Sequence, residues 1–128
     1  MNSSENVSPL ILIAEDDNIS FTFLKLVLTS HGYRVLHAEN GQDAVELFKT
    51  NPDIAMVLMD VKMPGMNGLE ATREIRKLSP TVPIIAQTAY ALAGDSEKTL
   101  EAGCNDYVSK PVTADLLMKK INQYMGDK

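Results

Sequence analysis

The sequence predicts an α/β domain: one five-stranded parallel sheet with five helices packed on both faces. Three observations carry that expectation. Five short apolar runs alternate with five segments of helical period, at about the spacing of βα units. The central run, 54–59 (IAMVLM), is apolar without alternation, as a strand buried on both faces is. Each segment between runs is long enough to return the chain parallel and right-handed, and no internal repeat or linker breaks the series.

In order, residues 1–9 (MNSSENVSP) read as a flexible lead ending at Pro9. The run 10–14 is the first strand, and it stops on three acids, Glu15, Asp16 and Asp17. Ile19, Phe23 and Val27, with Leu24 and Leu28 offset, have helical spacing; Asn18 or Asp17 can cap that helix and Gly32 can end it. The second strand is 34–38 (RVLHA). Asn40-Gly41 reads as a turn, and Ala44, Val45, Leu47 and Phe48 mark a short amphipathic helix stopped by Asn51-Pro52.

The third strand closes on Asp60, a charge placed where the apolar run stops. Pro64, Gly65 and Gly68 shape a loop, and Leu69, Thr72, Ile75 and Leu78 mark a third helix, closed by Ser79-Pro80. Residues 82–87 (VPIIAQ) form the fourth strand, with Pro83 near its start and Thr88 at its end. A weakly amphipathic, alanine-rich helix over 91–102, carrying Leu92, Ser96 and Leu100, finishes at Gly103. The fifth strand is 106–109, ending on Lys110-Pro111, and Leu117, Ile121 and Tyr124 set the face of a last helix. Residues 126–128 read as a tail, and no output domain is expected within this sequence.

Composition narrows the function. With 128 residues, 45% hydrophobic and 23% charged, the chain is one globular domain. Its net charge is −5 and it has no Lys/Arg-rich run, which disfavours direct nucleic-acid binding. Cys104 is the one cysteine, so no internal disulfide can form and a reducing compartment is expected. No apolar stretch approaches the roughly twenty residues of a membrane span, and 1–9 lack the pattern of a signal peptide. The expected location is the cytoplasm.

A parallel sheet brings all strand C-termini to one edge, where open α/β sheets bind ligands. That edge gathers Glu15, Asp16, Asp60, Thr88 and Lys110. Carboxylates crowded together repel, and a hard divalent cation bound through oxygen relieves the repulsion. Magnesium suits the set better than zinc, because no His or Cys belongs to it; manganese is a substitute. A cation so held favours phosphoryl oxygens as further ligands, Lys110 can pair with the same group, and the Thr88 hydroxyl can donate to it. Asp60 is then placed to attack phosphorus in line and become an aspartyl phosphate.

These residues also carry a resemblance. The Glu15-Asp16 pair, Asp60 within MDVKMPGMNG, Thr88-Ala89, and Tyr107 with Lys110-Pro111 resemble the receiver domain of bacterial two-component response regulators, over 10–125. The wording YALAGDSEKTLEAGCNDYVSKP is most similar to receivers fused to hybrid sensor histidine kinases. The resemblance implies a flavodoxin-like fold with strand order 2-1-3-4-5 and a cis Lys110-Pro111 bond. It implies a phosphoryl group passed to Asp60 from a histidine kinase or histidine phosphotransfer protein. Asp16 and Asp60 would bind magnesium directly, Glu15 through water, and Lys62 through its backbone carbonyl. Thr88 and Tyr107 would be the switch pair, altering the face of the fourth helix, fifth strand and fifth helix for a downstream partner. Whether phosphorylation also drives homodimerisation is left open.

Two features depart from or refine the pattern. Glu15 stands where many receivers have a second aspartate. Lys62, Ala89 and Tyr90 occupy positions that govern access to the phosphoryl group, and the bulky pair Lys62 and Tyr90 is expected to slow its hydrolysis. Other functions compete less well. A haloacid dehalogenase-type phosphohydrolase also uses an aspartate nucleophile but needs a second acid two residues on, where this chain has Lys62. A nucleotide-binding module lacks its GxxxxGK or GxGxxG loop. A receiver that binds partners without phosphorylation would not need the full acid, threonine and lysine set. His31 and His37 have no metal-ligand spacing, and the methionines are core fillers.

Overall fold

The computed structural model describes residues 8–63, 65–88 and 95–125. Along the chain come β1 (Leu10–Ala14), α1 (Asn18–Ser30), β2 (Arg34–Ala38), α2 (Gly41–Thr50), β3 (Ile54–Asp60), α3 (Gly68–Leu78), β4 (Ile84–Thr88), α4 (Asp95–Ala102), β5 (Asp106–Ser109) and α5 (Ala114–Met125). The five strands make one parallel sheet in the order β2-β1-β3-β4-β5. This is the flavodoxin-like arrangement the resemblance implies.

Strand side chains alternate between two cores, one on each face. Leu10, Leu12 and Ala14 of β1 join Val57, Met59, Ile84 and Ala86 under α2 and α3, which contribute Ala44, Val45, Ala71 and Ile75. Ile11, Ile13, Met56, Leu58 and Ile85 face the other way, onto Leu24 and Leu28 of α1 and Leu117 and Ile121 of α5. The phase slips once. Leu10 pairs with Ile54 but Ile11 with Met56, a bulge at Ala55 that lets Ile54 and Val57 share one face.

Several boundaries differ from the expectations, each for a local reason. Asp17, not Asn18, caps α1, its carboxylate accepting from the Ser20 N–H at 3.0 Å. Asn40-Gly41 is the start of α2 rather than a separate turn, because the Asn40 side chain accepts from the Asp43 N–H at 2.8 Å and so caps the helix. Gly68 likewise belongs to α3, which opens with a capping box between Asn67 and Glu70. The fourth strand begins at Ile84, not Val82, since the Val82 N–H turns to Ser79 Oγ (3.2 Å) and Pro83 has no N–H to pair.

Apolar spacing also misassigns some faces. Ile19 is 81% exposed and Phe23 is only partly covered, so α1 packs through the buried Leu24 and Leu28, with Phe21 and Val27 partly buried beside them. In α4, Leu100 is 49% exposed while Thr99 and Ala102 are buried. The helix read over 91–102 is described from Asp95; Leu92 lies outside the described residues, as do Pro64, Ala89, Tyr90 and the stretches 1–7 and 126–128. No helix among the described residues is long and apolar enough to cross a membrane.

Candidate functional site

The C-terminal ends of β1, β3, β4 and β5 open into one cleft of about 240 Å³. Its lining includes Glu15, Asp16, Asp60, Lys62, Thr88 and Lys110, which are the five edge residues of the sequence reading together with Lys62. Each strand delivers its residue by ending there. Glu15 is held by its N–H to the Ala38 carbonyl at 2.9 Å, the last rung beside β2. Asp60 is the final residue of β3, paired in register with Gln87. The Lys110 N–H donates to the Thr88 carbonyl at 2.8 Å, which fixes the end of β5 against β4. The Lys110-Pro111 peptide is cis.

Carboxylate oxygens of Glu15, Asp16 and Asp60 all lie within 4.8 Å of one another. Glu15 is fully buried, Asp60 is 3% exposed, and Asp16 faces solvent. Lys110 Nζ stands between the two buried acids, 3.2 Å from Asp60 Oδ2 and 3.4 Å from Glu15 Oε1. The other Asp60 oxygen, Oδ1, accepts from the Lys62 N–H at 3.2 Å, so both of its oxygens are engaged. Asp17 takes no part in the cluster; it is spent on the α1 cap, where the Ser20 hydroxyl and N–H hold its carboxyl below the usual range.

The electrostatics record the crowding. Burial pushes Glu15 up to about 7, and the hydrogen bond and negative charge of Asp60 push the same way, against a downward pull from Lys110. Burial pulls Lys110 down, yet the charges of Asp60 and Glu15 reverse this and hold it above the usual lysine value. Among the described residues Glu15 Oε1 has no hydrogen-bond donor in good geometry; Lys110 Nζ faces it as an ion pair at 3.4 Å. A buried acceptor without a donor, beside two further carboxylates, is the environment a cation satisfies. The donor set is entirely oxygen, which fits a hard divalent ion such as magnesium and fits zinc or copper poorly.

The loop from β3 to α3 is pressed against this site. A Cβ on Gly68 would collide with the Asp60 carbonyl oxygen, and one on Gly41 with that of Met66. Only glycine permits either approach. Tyr107 is partly buried against the α2/α3 core, and Thr88 is buried at the cleft. Ala89 and Tyr90, read as access residues, lie outside the described residues.

Some of the lining has no signal in the sequence. Ser20 reaches the cleft from α1, and Lys98 and Thr99 reach it from α4. Beside the cleft, Ile19, Phe23, Pro111 and Val112 border an apolar groove of about 570 Å³. His37 finds its partner in the site: its Nε2 lies 2.8 Å from the Glu15 backbone oxygen.

Comparison with known proteins agrees with this geometry. The family model described as "Response regulator receiver domain" matches residues 11–122. The chain is 36% identical to hybrid signal transduction histidine kinase I of Dictyostelium discoideum, covering 95% of this chain but only 8% of that protein. Its fold matches the receiver domain of a sensor histidine kinase from Pseudomonas aeruginosa with a TM-score of 0.87 and 38% identity, over 94% of this chain and 100% of the other. That crystal structure has a magnesium ion coordinated in the active site cleft. The receiver domain of the Saccharomyces cerevisiae response regulator Ssk1, co-crystallised with the histidine phosphotransfer protein Ypd1, matches at a TM-score of 0.86 and 33% identity, over 92% of this chain and 89% of that one. Five parallel strands in this order, an acid cluster at their ends and a family match across most of the length lead to one conclusion: the chain belongs to the response regulator receiver domains of two-component signalling.

Proposed function

We propose that this receiver is a phosphorylation-dependent switch, taking a phosphoryl group onto Asp60 from a histidine kinase or a histidine phosphotransfer protein. The observation that carries the reading is the Lys110 ammonium held 3.2 Å from Asp60 and 3.4 Å from Glu15, at the mouth of a cleft. Glu15, Asp16 and Asp60, with the Lys62 backbone carbonyl, would hold magnesium or manganese. When bound, that cation would neutralise charge on the phosphoryl oxygens.

The chain's own residues do the rest. Asp60, pinned by Lys62 and Lys110, presents an oxygen in line with the donor's N–P bond. As the O–P bond to Asp60 forms, the N–P bond breaks; its electron pair returns to the donor imidazole, which takes up a proton from solvent. Lys110 then exchanges its partner, moving from the carboxylate to a phosphoryl oxygen. Thr88, which lines the cleft, would donate its hydroxyl to the same group. Its movement, with Tyr107 turning inward, would alter the face made by α4, β5 and α5 for a downstream partner. A donor of this kind is supported by the Ypd1 complex of the 33% identical Ssk1 receiver and by the exposed apolar residues beside the cleft. The chain would act once per phosphoryl group received, and not as a turnover enzyme on a separate substrate.

Incubation with acetyl phosphate and magnesium, followed by intact-mass measurement, tests this. One added phosphate is expected, not formed when EDTA is present from the start and absent in Asp60→Asn. Undiminished labelling of Asp60→Asn would refute the assignment.

A further inference from the structure

The carbonyl of Glu15 leaves the sheet where its ladder ends. The Glu15 N–H still pairs with the Ala38 carbonyl at 2.9 Å, but the Glu15 carbonyl is met by a side chain, His37 Nε2 at 2.8 Å. A carbonyl only accepts, so Nε2 carries the proton. The His37 ring is also stacked on Phe21, with centroids 3.6 Å apart and planes 5° from parallel. Phe21 lies in the first turn of α1, whose N-cap is Asp17. One ring therefore ties the last residue of the β1 side to the first turn of the helix that follows. The chain between those two anchors contains Asp16, the exposed member of the acid cluster.

We infer that His37 is a positioning residue for the cation site: its N–H fixes the Glu15–Asp16 peptide, and thereby the direction of the Asp16 carboxylate, while its ring face holds α1. The inference rests on the proposed cation site. Two functions of one side chain can be separated by substitution. His37→Phe keeps a ring for Phe21 and removes the donor. His37→Gln keeps an N–H donor and removes the ring. A cation gains most from ligands already held in place, so loss of the donor weakens binding by about the fold-change of one ordinary hydrogen bond, roughly five-fold. Loss of the stack lowers the melting temperature by about 3–5 °C.

The test is calorimetric titration of magnesium into the full chain, with thermal melting of the same samples in EDTA. His37→Phe is expected to bind magnesium about five-fold more weakly and His37→Gln to bind like the parent, although both melt lower. Unchanged magnesium affinity in His37→Phe overturns the proposal. So does a loss of affinity in both variants that merely follows their loss of stability. Asp16→Asn is the control for the site itself: if it leaves the parent's magnesium affinity intact, the cation-site reading fails, and this inference with it.

Discussion

Lys110 shows how much of the site's behaviour resides in single charges. Its ammonium is the counter-charge to two buried carboxylates, and one of them, Glu15, still sits at about 7 because burial and Asp60 outweigh it. The raised value has a consequence for the cation-free protein. A carboxyl whose folded value exceeds its ordinary 4.5 stabilises the fold while protonated; that contribution is complete below about pH 4.5 and is lost as pH rises through about 7. In EDTA the protein should therefore be more stable near about pH 5 than near about pH 8, by on the order of 2–3 kcal/mol. Denaturant titrations at the two pH values measure it, and a profile that is flat or rises with pH would contradict the assignment to Glu15. The same lysine matters to phosphoryl transfer. Lys110→Ala should slow labelling by acetyl phosphate about a hundred-fold, the usual effect of deleting one transition-state charge partner.

At the scale of elements, the β3–α3 loop is held from both sides by glycines. Gly68 N–H donates to the Val61 carbonyl at 3.0 Å, and Gly41 N–H to the Met66 carbonyl at 3.2 Å. The contact at Gly68 is with Asp60 itself, so a methyl there must push the backbone of the acceptor or the loop. Gly68→Ala is expected to cost about 1–3 kcal/mol and to reduce labelling of Asp60. Wild-type stability and wild-type labelling together would show that the loop gives way freely. The capping box at Asn67 explains why α3 starts where it does, and it is legible in the sequence once Asn67 and Glu70 are seen three residues apart. The glycine contacts are not legible, because they depend on which loop lies beside which helix.

For the whole molecule, the pattern of βα units was enough to set the sheet, its parallel strands and the edge at which the acids meet. Runs such as LILIA and IAMVLMD mark both the core and its end, because burial stops where charge begins. Strand order came from the resemblance, since the apolar runs alone carry no information on which strands are neighbours. Faces of helices were less readable. Ile19 and Leu100 share their helices' apolar spacing yet lie exposed. Within the site, the residues at strand ends were legible because topology alone brings them together. His37, Ser20 and Lys98 were not, since their places follow from side-chain reach across neighbouring elements.

The central claim is that Asp60 receives the phosphoryl group, and the most direct measurement is chemical. After labelling with acetyl phosphate and magnesium, borohydride reduces an acyl phosphate on aspartate to homoserine, which peptide mapping then locates. The account predicts homoserine at position 60; homoserine at position 16 instead, or none in a protein that carries phosphate, would contradict it.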